Sequence, residues 1–589
     1  MLMRRRPIAQ AARSRPASLA APLGGWNARD ALGDMAPLDA VYLTNWWPGT
    51  SDIFLRKGYS NFATGLGAQV ETLMAYSGGA TDKLFAITSA GNLYDVTSGG
   101  AVGAAAVSGL SNGRWQYTNI ATAGGNFLLA FNGVDNGLRY NGTSWVAIPS
   151  ATGIAISTLT GTGATATVTT TAAHGLRTGN TVTVTGASVA GFNVTGVAIT
   201  VTGTTTFTYA STGTPSATGA SYTAGEGISG VDPKTIVAPV LFKNRIWLCP
   251  VSTLTPYYLA TSAIQGAASA FPVQSVAQLG GYVQAIGTWT GDGGYGMDDM
   301  LVIATNKGEL LVYNGLDPAT AFSWQLTGVW QLGAPIGRRS MFKFGGDLLI
   351  ISQDGLVPMS SALQSARVDP QIALSNKIQF AVSTAVSSYG ANFGWQVIYF
   401  PKENQLYLNV PVATGSQQQY VMNTITKSWC NFTGWAANCW EEYKDDVYFG
   451  GNGVVCKAWD TNADNGTNIT GDGKQAFNYF GTPGILKRWT MMRPILSTNG
   501  SPGVLASLNV DFDDTAPTSP VSYSPSSAST WGSALWGSAV WSGGGTVLRQ
   551  WQGVTGVGYC AAIRLKTVSS GIEVRWVSTD LVAEPGAIL

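Results

Sequence analysis

A pattern of three short strands separated by tight turns recurs along the chain and limits its possible folds more than any other feature. The clearest copy, at residues 126–148, has apolar runs at 127–131, 138–140 and 145–148. Asn-Gly and Asp-Asn-Gly sequences between the runs tolerate the positive φ angles of hairpin turns. The copy is therefore predicted to form a meander of antiparallel strands.

Similar copies can be traced at seven places in the sequence. They are marked by strands at Leu84, Phe127, Ile246, Leu301, Leu348, Leu406 and Val447. With residues 153–225 set aside as an insertion, the copies follow one another at roughly 40–60 residues, close to the period of β-propeller blades. A single blade cannot bury its own faces, so the copies are expected to stack around an axis. The sequence predicts an all-β, irregular β-propeller of six or seven blades. A string of unrelated hairpins in two or three sandwiches is the alternative.

The low charge of the chain limits the classes of function open to it. Only 11% of its 589 residues are charged, and the net charge is +1, whereas about 25% of residues are charged in an average protein. A net charge this close to zero does not provide the broad positive surface that general nucleic-acid binding needs. A neutral β protein with 74 glycines and 20 tryptophans fits surfaces that touch other subunits better than it fits a freely diffusing enzyme.

Cysteine usage and hydropathy exclude two further classes. The five cysteines are odd in number and none has CxxC spacing, which argues against a disulfide framework or a zinc site and for reduced thiols in a protein assembled in the cytoplasm. No apolar run reaches the ~18 residues that a transmembrane helix needs. We therefore expect no membrane span, no metal and no cofactor.

Composition and patterning divide the chain into six segments. These are a basic N-terminal arm (1–25), a first platform segment (26–65), a first group of blades (66–152), an inserted Ig-like or β-barrel module (153–225), a second group of blades (226–480) and a C-terminal β platform (481–589). The arm contains Arg4, Arg5 and Arg6. It is expected either to lie along a neighbouring subunit or the DNA path, or to be a solvated terminus.

The first platform segment is expected to contain a helical turn from Pro37 through Leu43 and a strand from Ile53. Between them lies the aromatic pair Trp46-Trp47, a candidate for a subunit interface. The run resembles the opening of the nozzle (tail tubular) proteins of short-tailed bacteriophages. The matching positions are Asn27, Asp30, Met35, Pro37, Asp39, Ala40, Asn45, Trp46, Pro48, Arg56 and Gly58.

The resemblance extends to the repeats and to the last ~90 residues, and it has direct implications for function. Nozzle proteins are hexameric rings at the distal end of the tail, with a β-propeller outside a tubular platform. The resemblance implies a virion structural protein, assembled in the host cytoplasm, that forms a homo-oligomeric ring, most simply a hexamer. Its partners would be the other tail proteins (adaptor and fibres) and phage DNA, which passes through the lumen without sequence-specific recognition.

The insertion at 153–225 alternates threonine with valine or isoleucine between glycine turns, as a small half-exposed β-domain does. It contains His174, the only histidine of the chain. This residue has no partner histidine or nearby acid in the sequence. We therefore interpret it as a turn residue at the end of a strand rather than as a base or metal ligand.

The later part of the chain contains one helical segment and one unusual tryptophan cluster. A helix near 369–384, with Asp369-Pro370 as its start signal, is expected either to cross between propeller and platform or to pack over a blade edge. Trp531, Trp536 and Trp541 lie five residues apart on a Gly/Ser-rich ribbon. They are expected to pack on the chain's own C-terminal strands, to pack against a neighbouring subunit, or to touch the host envelope.

Motifs for catalysis are absent from the sequence, and no catalytic residue is expected. There is no G-x-S-x-G, Walker or H-E-x-x-H sequence. Acidic groups such as Glu441, Glu442, Asp445 and Asp446 are interpreted as solvated turns. Glycoside hydrolysis needs only two paired carboxylates, so a carbohydrate-binding or glycoside-cleaving propeller is the alternative to the tail protein.

Overall fold

The computed structural model describes residues 14–78, 81–292, 297–320, 322–362, 370–521 and 546–586. Strands dominate, and helices are few and short. The protein is all-β and built on a β-propeller. Each of the seven sequence positions that mark the repeat lies in the second strand of a separate antiparallel meander. Seven blades can therefore be counted in the part of the chain that the structure describes.

The strands of the blades are short and mostly four to a blade. In chain order, blade one consists of the second half of Tyr59–Tyr76, Lys83–Thr88 and Leu93–Asp95, blade two of Gln116–Thr122, Gly125–Phe131, Gly137–Tyr140 and Trp145–Ile148, and blade three of Ile236–Phe242, Arg245–Pro250, Tyr257–Tyr258 and Ser269–Ala270. Blade four consists of Val283–Asp292, Met297–Thr305, Glu309–Gly315 and Trp324–Gln331, and blade five of Met341–Phe344, Asp347–Ser352 and Gly355–Pro358. Blade six consists of Gln396–Phe400, Gln405–Ala413, Ser416–Asn423 and Trp429–Phe432, and blade seven of Cys439–Tyr443, Asp446–Gly450, Asn452–Ala458 and the first half of Tyr59–Tyr76. Short pairs, Gly100–Ala101 against Tyr59–Tyr76 and Ile228–Ser229 against Gly266–Ala267, flank them.

One long strand, Tyr59–Tyr76, closes the ring of blades. Its first half pairs with Asn452–Ala458 of blade seven, and its second half pairs with Lys83–Thr88 of blade one. The pairing partners thus come from opposite ends of the propeller sequence. We call this element the closing strand.

Apolar packing joins each blade to the next. Seven hydrophobic clusters lie at the seven junctions, including the junction of blade seven with blade one, where Tyr448 and Val455 pack with Leu73 and Leu84. Because each blade face is apolar and is covered by its neighbour, the ring buries surfaces that no blade could bury alone.

The insertion forms a small β-domain with its own core. Its strands make a seven-stranded sheet in which buried and exposed positions alternate, as the threonine–valine pattern predicts. They are Ile156–Gly161, Thr165–Thr170, Thr181–Thr185, Val194–Val201, Thr206–Ala210, Ser216–Ala217 and Ser221–Ala224, with a 3₁₀ turn at Ala190–Phe192.

Strands from both ends of the chain form two further sheets that pack face to face. From the N-terminal side these strands are Arg15–Ala20, Gly25–Trp26, Asp39–Thr44, Trp46–Pro48 and Ile53–Leu55; from the C-terminal side they are Ile469–Gln475, Lys487–Thr498, Gly503–Val510, Thr546–Leu548, Gln552–Gly558, Ala561–Ser569 and Val574–Pro585. One apolar cluster fills the space between the two sheets. We call this body the end-segment sandwich.

The sandwich is continuous with the propeller. Asp39–Thr44 lies between Ile469–Gln475 and the last strand of blade six, which it meets at Thr44 and Asn431. Ile53–Leu55 and Arg15–Ala20 both pair with Val574–Pro585. The first and last segments of the chain therefore share the same sheets.

Two expectations for the N-terminal region are wrong. Residues 39–44 form a strand and not a helical turn, because this stretch has a sheet neighbour on each side. The separate arm predicted for residues 1–25 does not include residues 15–20, which are hydrogen-bonded as a strand to the chain's own C-terminal segment. Arg4, Arg5 and Arg6 lie outside the described residues.

The helical segment starts later than its sequence suggests. Short 3₁₀ turns at Pro370–Ile372 and Asn376–Ile378 precede the α-helix Gln379–Tyr389. Ile378, Val382 and Ala385 pack with the apolar cluster between blades five and six, so the helix covers a blade junction. The other helical turns are Pro233–Thr235, Met359–Ala362 and Pro401–Glu403.

All five cysteines are buried and unpaired, as expected for reduced thiols. Burial raises the pKa of the Cys249, Cys439 and Cys456 thiols to about 12, so none of the three is a reactive thiolate. Among the described residues, no helix is long and apolar enough to cross a membrane.

Candidate functional site

A cavity of about 360 Å³ lies at the centre of the propeller. It is lined by residues from the first strand of every blade, which is the strand nearest the axis in a propeller. One from each blade, in order, is Thr72, Gln116, Ala238, Ile286, Met341, Gln396 and Trp440. All seven blades therefore contribute side chains to the wall of this axial cavity.

Arg339 holds the inner strands of blades one, two and six together from inside the cavity. Its Nη2 donates to the Thr72 hydroxyl at 2.7 Å and to the carbonyl oxygens of Glu71 and Trp115, both at 3.2 Å. Its Nε donates to Gln116 Oε1 at 3.3 Å, and its Nη1 makes only a long contact of 3.5 Å with Gln396 Oε1. All of these partners are uncharged. Burial lowers the pKa of the Arg339 guanidinium, while nearby acidic groups oppose that shift.

Glu441 faces the same cavity from blade seven. Burial raises the pKa of its carboxyl to about 8, and a hydrogen bond with Tyr117 and the charge of Arg339 only partly offset that effect. At neutral pH the Glu441 side chain is therefore mainly uncharged. The sequence interpretation of Glu441 as part of a solvated turn is wrong, because this residue lies in a strand of blade seven and lines the axial cavity.

A second, smaller cavity of about 250 Å³ lies beside Glu71 and Arg114. The Phe393 ring contacts two guanidinium groups there, with Arg114 Cζ at 4.7 Å and Arg339 Cζ at 5.0 Å from the ring centroid. Each contact is of the cation–π kind. Phe393 thus links the segment before blade six to Arg339.

The lining of the axial cavity does not supply the usual groups for glycoside hydrolysis. That reaction needs two carboxyl groups on either side of the bond to be cleaved. Glu441 is the one carboxyl group among the described residues of the lining. The described residues also contain no group of three or more His, Cys, Asp or Glu side chains that could hold a metal ion.

A second polar site joins the propeller to the end-segment sandwich. Arg56 is fully buried and donates through both Nη atoms to the two carboxylate oxygens of Asp464, at 2.8 and 2.6 Å. Its remaining N–H groups go to Asn45 Oδ1 and to the carbonyls of Lys57 and Thr433. Every guanidinium donor therefore has a partner, which is the condition under which a buried charge is tolerated.

The residues around Arg56 explain much of the motif in the first platform segment. Asn45 adopts a positive φ of 58° and accepts hydrogen bonds from Arg56 Nε and the Thr433 N–H. Gly58 lies against the backbone of Ala463, and a Cβ at this position would overlap the Ala463 carbonyl. The motif positions therefore form a joint between the two bodies of the protein. We call residues Asn45, Arg56, Gly58, Thr433 and Asp464 the joint.

Polar residues earlier in the motif fix a second contact with the helical segment. Asn27 Nδ2 donates to Asp30 and Asp39, both at 2.8 Å. The other oxygen of Asp39 accepts from Lys377 Nζ at 2.6 Å, and Lys377 also donates to the Gly24 carbonyl. The start of the helical segment is thereby tied to the N-terminal strands.

The comparisons with known proteins concern the fold alone. No family model matches the chain, and no curated protein matches it in sequence. Its structure is similar to the Cps50 (Swd1) β-propeller domain of Myceliophteria thermophila, at 12% identity and a TM-score of 0.35 over 67% of this chain and 97% of that one. It is also similar to YCF48 from Cyanidioschyzon merolae (10% identity, TM-score 0.23, 66% and 96% coverage) and to apo AztD from Citrobacter koseri (10%, 0.28, 62% and 86%).

The predicted interface residues have different outcomes. Trp46 and Trp47 are 0% and 3% exposed and pack within the sandwich core. The ring centroids of Trp46 and Trp576 lie 6.2 Å apart there, in an edge-to-face arrangement. The prediction that these two indoles lie at a subunit interface is wrong, because the chain itself already covers them. Trp531, Trp536 and Trp541 lie outside the described residues, so their role stays a prediction.

His174 has the structural role expected from its sequence. It is buried, its Nδ1 accepts from the Leu176 N–H at 3.0 Å, and its Nε2 lies 3.1 Å from the Gly203 carbonyl. Burial lowers the pKa of the imidazole, which favours the neutral form. Both ring nitrogens are occupied in holding a turn of the inserted domain.

Sequence reasoning missed the axial cavity and the joint. Arg339 and Glu441 are separated by about a hundred residues, and Arg56 and Asp464 by 408. The one available signal is a polar residue near the start of three of the repeats, at Gln116, Gln396 and Glu441.

Proposed function

We propose that this chain is a virion structural protein, a subunit of the ring-shaped nozzle at the end of a short phage tail. The genome would be retained and then ejected through the ring. The observation that carries the proposal is the joint, because three of its five residues belong to the motif that resembles the opening of nozzle proteins. Asn45, Arg56 and Gly58 fix the sandwich against blades six and seven.

The joint supports a ring subunit for a mechanical reason. A ring that guides DNA needs its platform and its outer domains at a constant angle, and a buried, fully hydrogen-bonded charge pair gives a specific and stiff connection. The low charge of the protein also fits extensive contact with other subunits.

The axial cavity supports a DNA path between subunits rather than through the propeller. A cavity of about 360 Å³ enclosed by Arg339, Glu441 and the inner strands cannot admit a duplex. In the proposed nozzle, DNA passes along the ring axis, lined by the sandwiches of successive subunits. This passage would require no sequence-specific contact, which is consistent with the net charge of +1.

The proposal is tested by the assembly state of the purified full chain. We expect light scattering to give a closed oligomer, most simply a hexamer, and negative-stain images to show rings with an open centre. A protein that remains monomeric at all concentrations up to about 100 µM, and in the presence of the neighbouring tail proteins, would contradict it.

The alternative is a carbohydrate-binding or glycoside-cleaving propeller, and one observation favours it. The axial cavity places an uncharged carboxyl group, Glu441, near the aromatic side chains Tyr117 and Trp440. A monomer that binds or cleaves polysaccharide, and loses this property in Glu441→Gln, would support the alternative over the nozzle.

A further inference from the structure

Two adjacent arginines enter the axial cavity, and neither is neutralised by a carboxylate. Arg338 and Arg339 occur in the segment just before blade five. Among the described residues, no ion pair includes either of them. Glu441 is the one carboxyl group among the described residues of the lining, against two guanidinium groups. The cavity therefore has excess positive charge.

Arg338 is less constrained than its neighbour. Its Nη1 reaches the Gln284 carbonyl only at 3.5 Å, and its Cζ lies 5.6 Å from the centroid of the Tyr282 ring. A hydrogen bond of that length is weak. Most of its donors thus have no acceptor among the described residues, whereas Arg339 has one weakly used nitrogen, Nη1, beside Gln396 of blade six.

The rest of the lining combines amide and hydroxyl groups with apolar side chains. Gln116, Gln396 and Tyr117 lie near Arg339, while other parts of the wall are formed by the apolar side chains of Val240, Ile286, Met341, Phe342 and Ile398. Small-molecule sites have this composition, with a few polar groups in a mainly apolar pocket of about 300–1,000 Å³. The volume of about 360 Å³ lies at the lower end of this range.

A guanidinium group in a cavity of low dielectric is costly unless an anion or a full set of acceptors surrounds it. Arg339 has its acceptors in the protein, whereas Arg338 is partly exposed and has one long hydrogen bond to the Gln284 carbonyl. A planar carboxylate or a phosphate would match the planar guanidinium of Arg338, and Arg339 lines the same cavity. We propose that the axial cavity binds a small organic anion, with its carboxylate or phosphate group on Arg338 and Arg339 and its apolar part against Val240 and Ile286.

The test uses the full chain and simple probes of the ligand chemistry. Benzoate and phenyl phosphate carry the two anionic groups on one apolar ring, and benzyl alcohol is the neutral comparison. Trp115 and Trp440 line the cavity, so binding can be followed by tryptophan fluorescence and by calorimetry. We expect saturable binding of at least one anion and none of benzyl alcohol; the preferred anion identifies the group that the site recognises.

Variants separate the axial cavity from other sites. Arg338→Gln should weaken binding of the preferred anion at least tenfold, whereas Arg488→Gln, which changes an exposed arginine of the sandwich, should leave it unchanged. Ala238→Leu should also abolish binding, because it adds bulk to the cavity wall without changing charge. This second variant decides the matter if Arg338→Gln does not fold. Absence of saturable binding below about 10 mM, or equal binding by wild type and both cavity variants, would overturn the proposal.

Discussion

Arg56 and Asp464 form a bidentate ion pair, although they are 408 residues apart in the chain. The Arg56 side chain is completely buried, and Trp435 lies over the guanidinium at 4.8 Å while its Nε1 donates to the same aspartate. The pair connects the segment between Ile53–Leu55 and the closing strand to the loop between blade seven and the C-terminal strands.

Arg56→Ala is expected to destabilise the protein strongly. Removing one partner of a buried ion pair leaves the other charge unpaired, at a typical cost of about 3–5 kcal/mol. The matched control is Arg29→Ala, which removes an exposed ion pair with Asp30, and exposed pairs typically contribute less than about 1 kcal/mol. Urea denaturation of both variants checks the difference. Similar midpoints for the two would contradict the assigned role of Arg56.

Gly58→Ala tests the close packing in the joint. The added methyl group would overlap the Ala463 carbonyl, and relieving such overlap typically costs about 1–3 kcal/mol. Gly103→Ala is the control, because a Cβ at that position meets no atom within 4 Å. Thermal melting should separate the two variants clearly. If Gly58→Ala and Gly103→Ala have the same melting temperature, the backbones of Gly58 and Ala463 are not held in contact.

Glu441 predicts a specific dependence of stability on pH. Its folded-state pKa, about 8, is above the ordinary value of 4.5. The unfolded chain therefore loses this proton first, and the contribution of Glu441 to stability falls as pH rises from about 4.5 to about 8. Glu441→Gln removes this dependence. The urea midpoint of the variant should thus rise relative to that of the wild type between pH 5 and pH 8, and a constant difference over this range would refute the assignment.

The inserted domain is expected to be separable from the propeller. Its two ends are adjacent, since the Gly153 N–H donates to the Tyr222 carbonyl and the Ala224 N–H donates to the Ala151 carbonyl. A chain that lacks residues 153–225 should keep its cooperative melting transition, although it loses the contact of Asn180 with Glu226. Deleting blade two instead, at residues 116–148, should prevent folding because the ring cannot close. If both deletions abolish the cooperative melting transition, the insertion is part of the propeller core.

The three C-terminal tryptophans provide a test of the ring. If they lie between subunits, Trp536→Ala should leave the monomer folded and weaken ring assembly by roughly 2 kcal/mol or more, as loss of a buried interface anchor does. Trp46→Ala is the contrasting variant, because that buried indole belongs to the sandwich core and its loss should lower the melting temperature of the monomer itself. Loss of monomer folding in Trp536→Ala would instead place that residue in the chain's own core.

The repeat in the sequence was sufficient to predict the propeller, since each marking residue from Leu84 to Val447 lies in the second strand of a blade. Local pattern was insufficient wherever distant segments decide the outcome. Residues 39–44 could form a helical turn or a strand, and their neighbours in the sheet, from residues 431 and 472–475, determine that they form a strand. Burial of Trp46 likewise depends on Trp576. The pairing of Arg56 with Asp464 has no local signal at all.

The closing strand has a consequence for synthesis of the protein on the ribosome. Tyr59 pairs with Ala458, so about 400 residues must be translated after Tyr59 before its partner exists. At about 5–20 residues per second, this takes roughly 20–80 s. During that interval the strand has an unsatisfied backbone edge on its blade-seven side, and such edges are sites of aggregation. We therefore expect the yield of folded protein to depend strongly on translation rate and on chaperones that cover nascent chains.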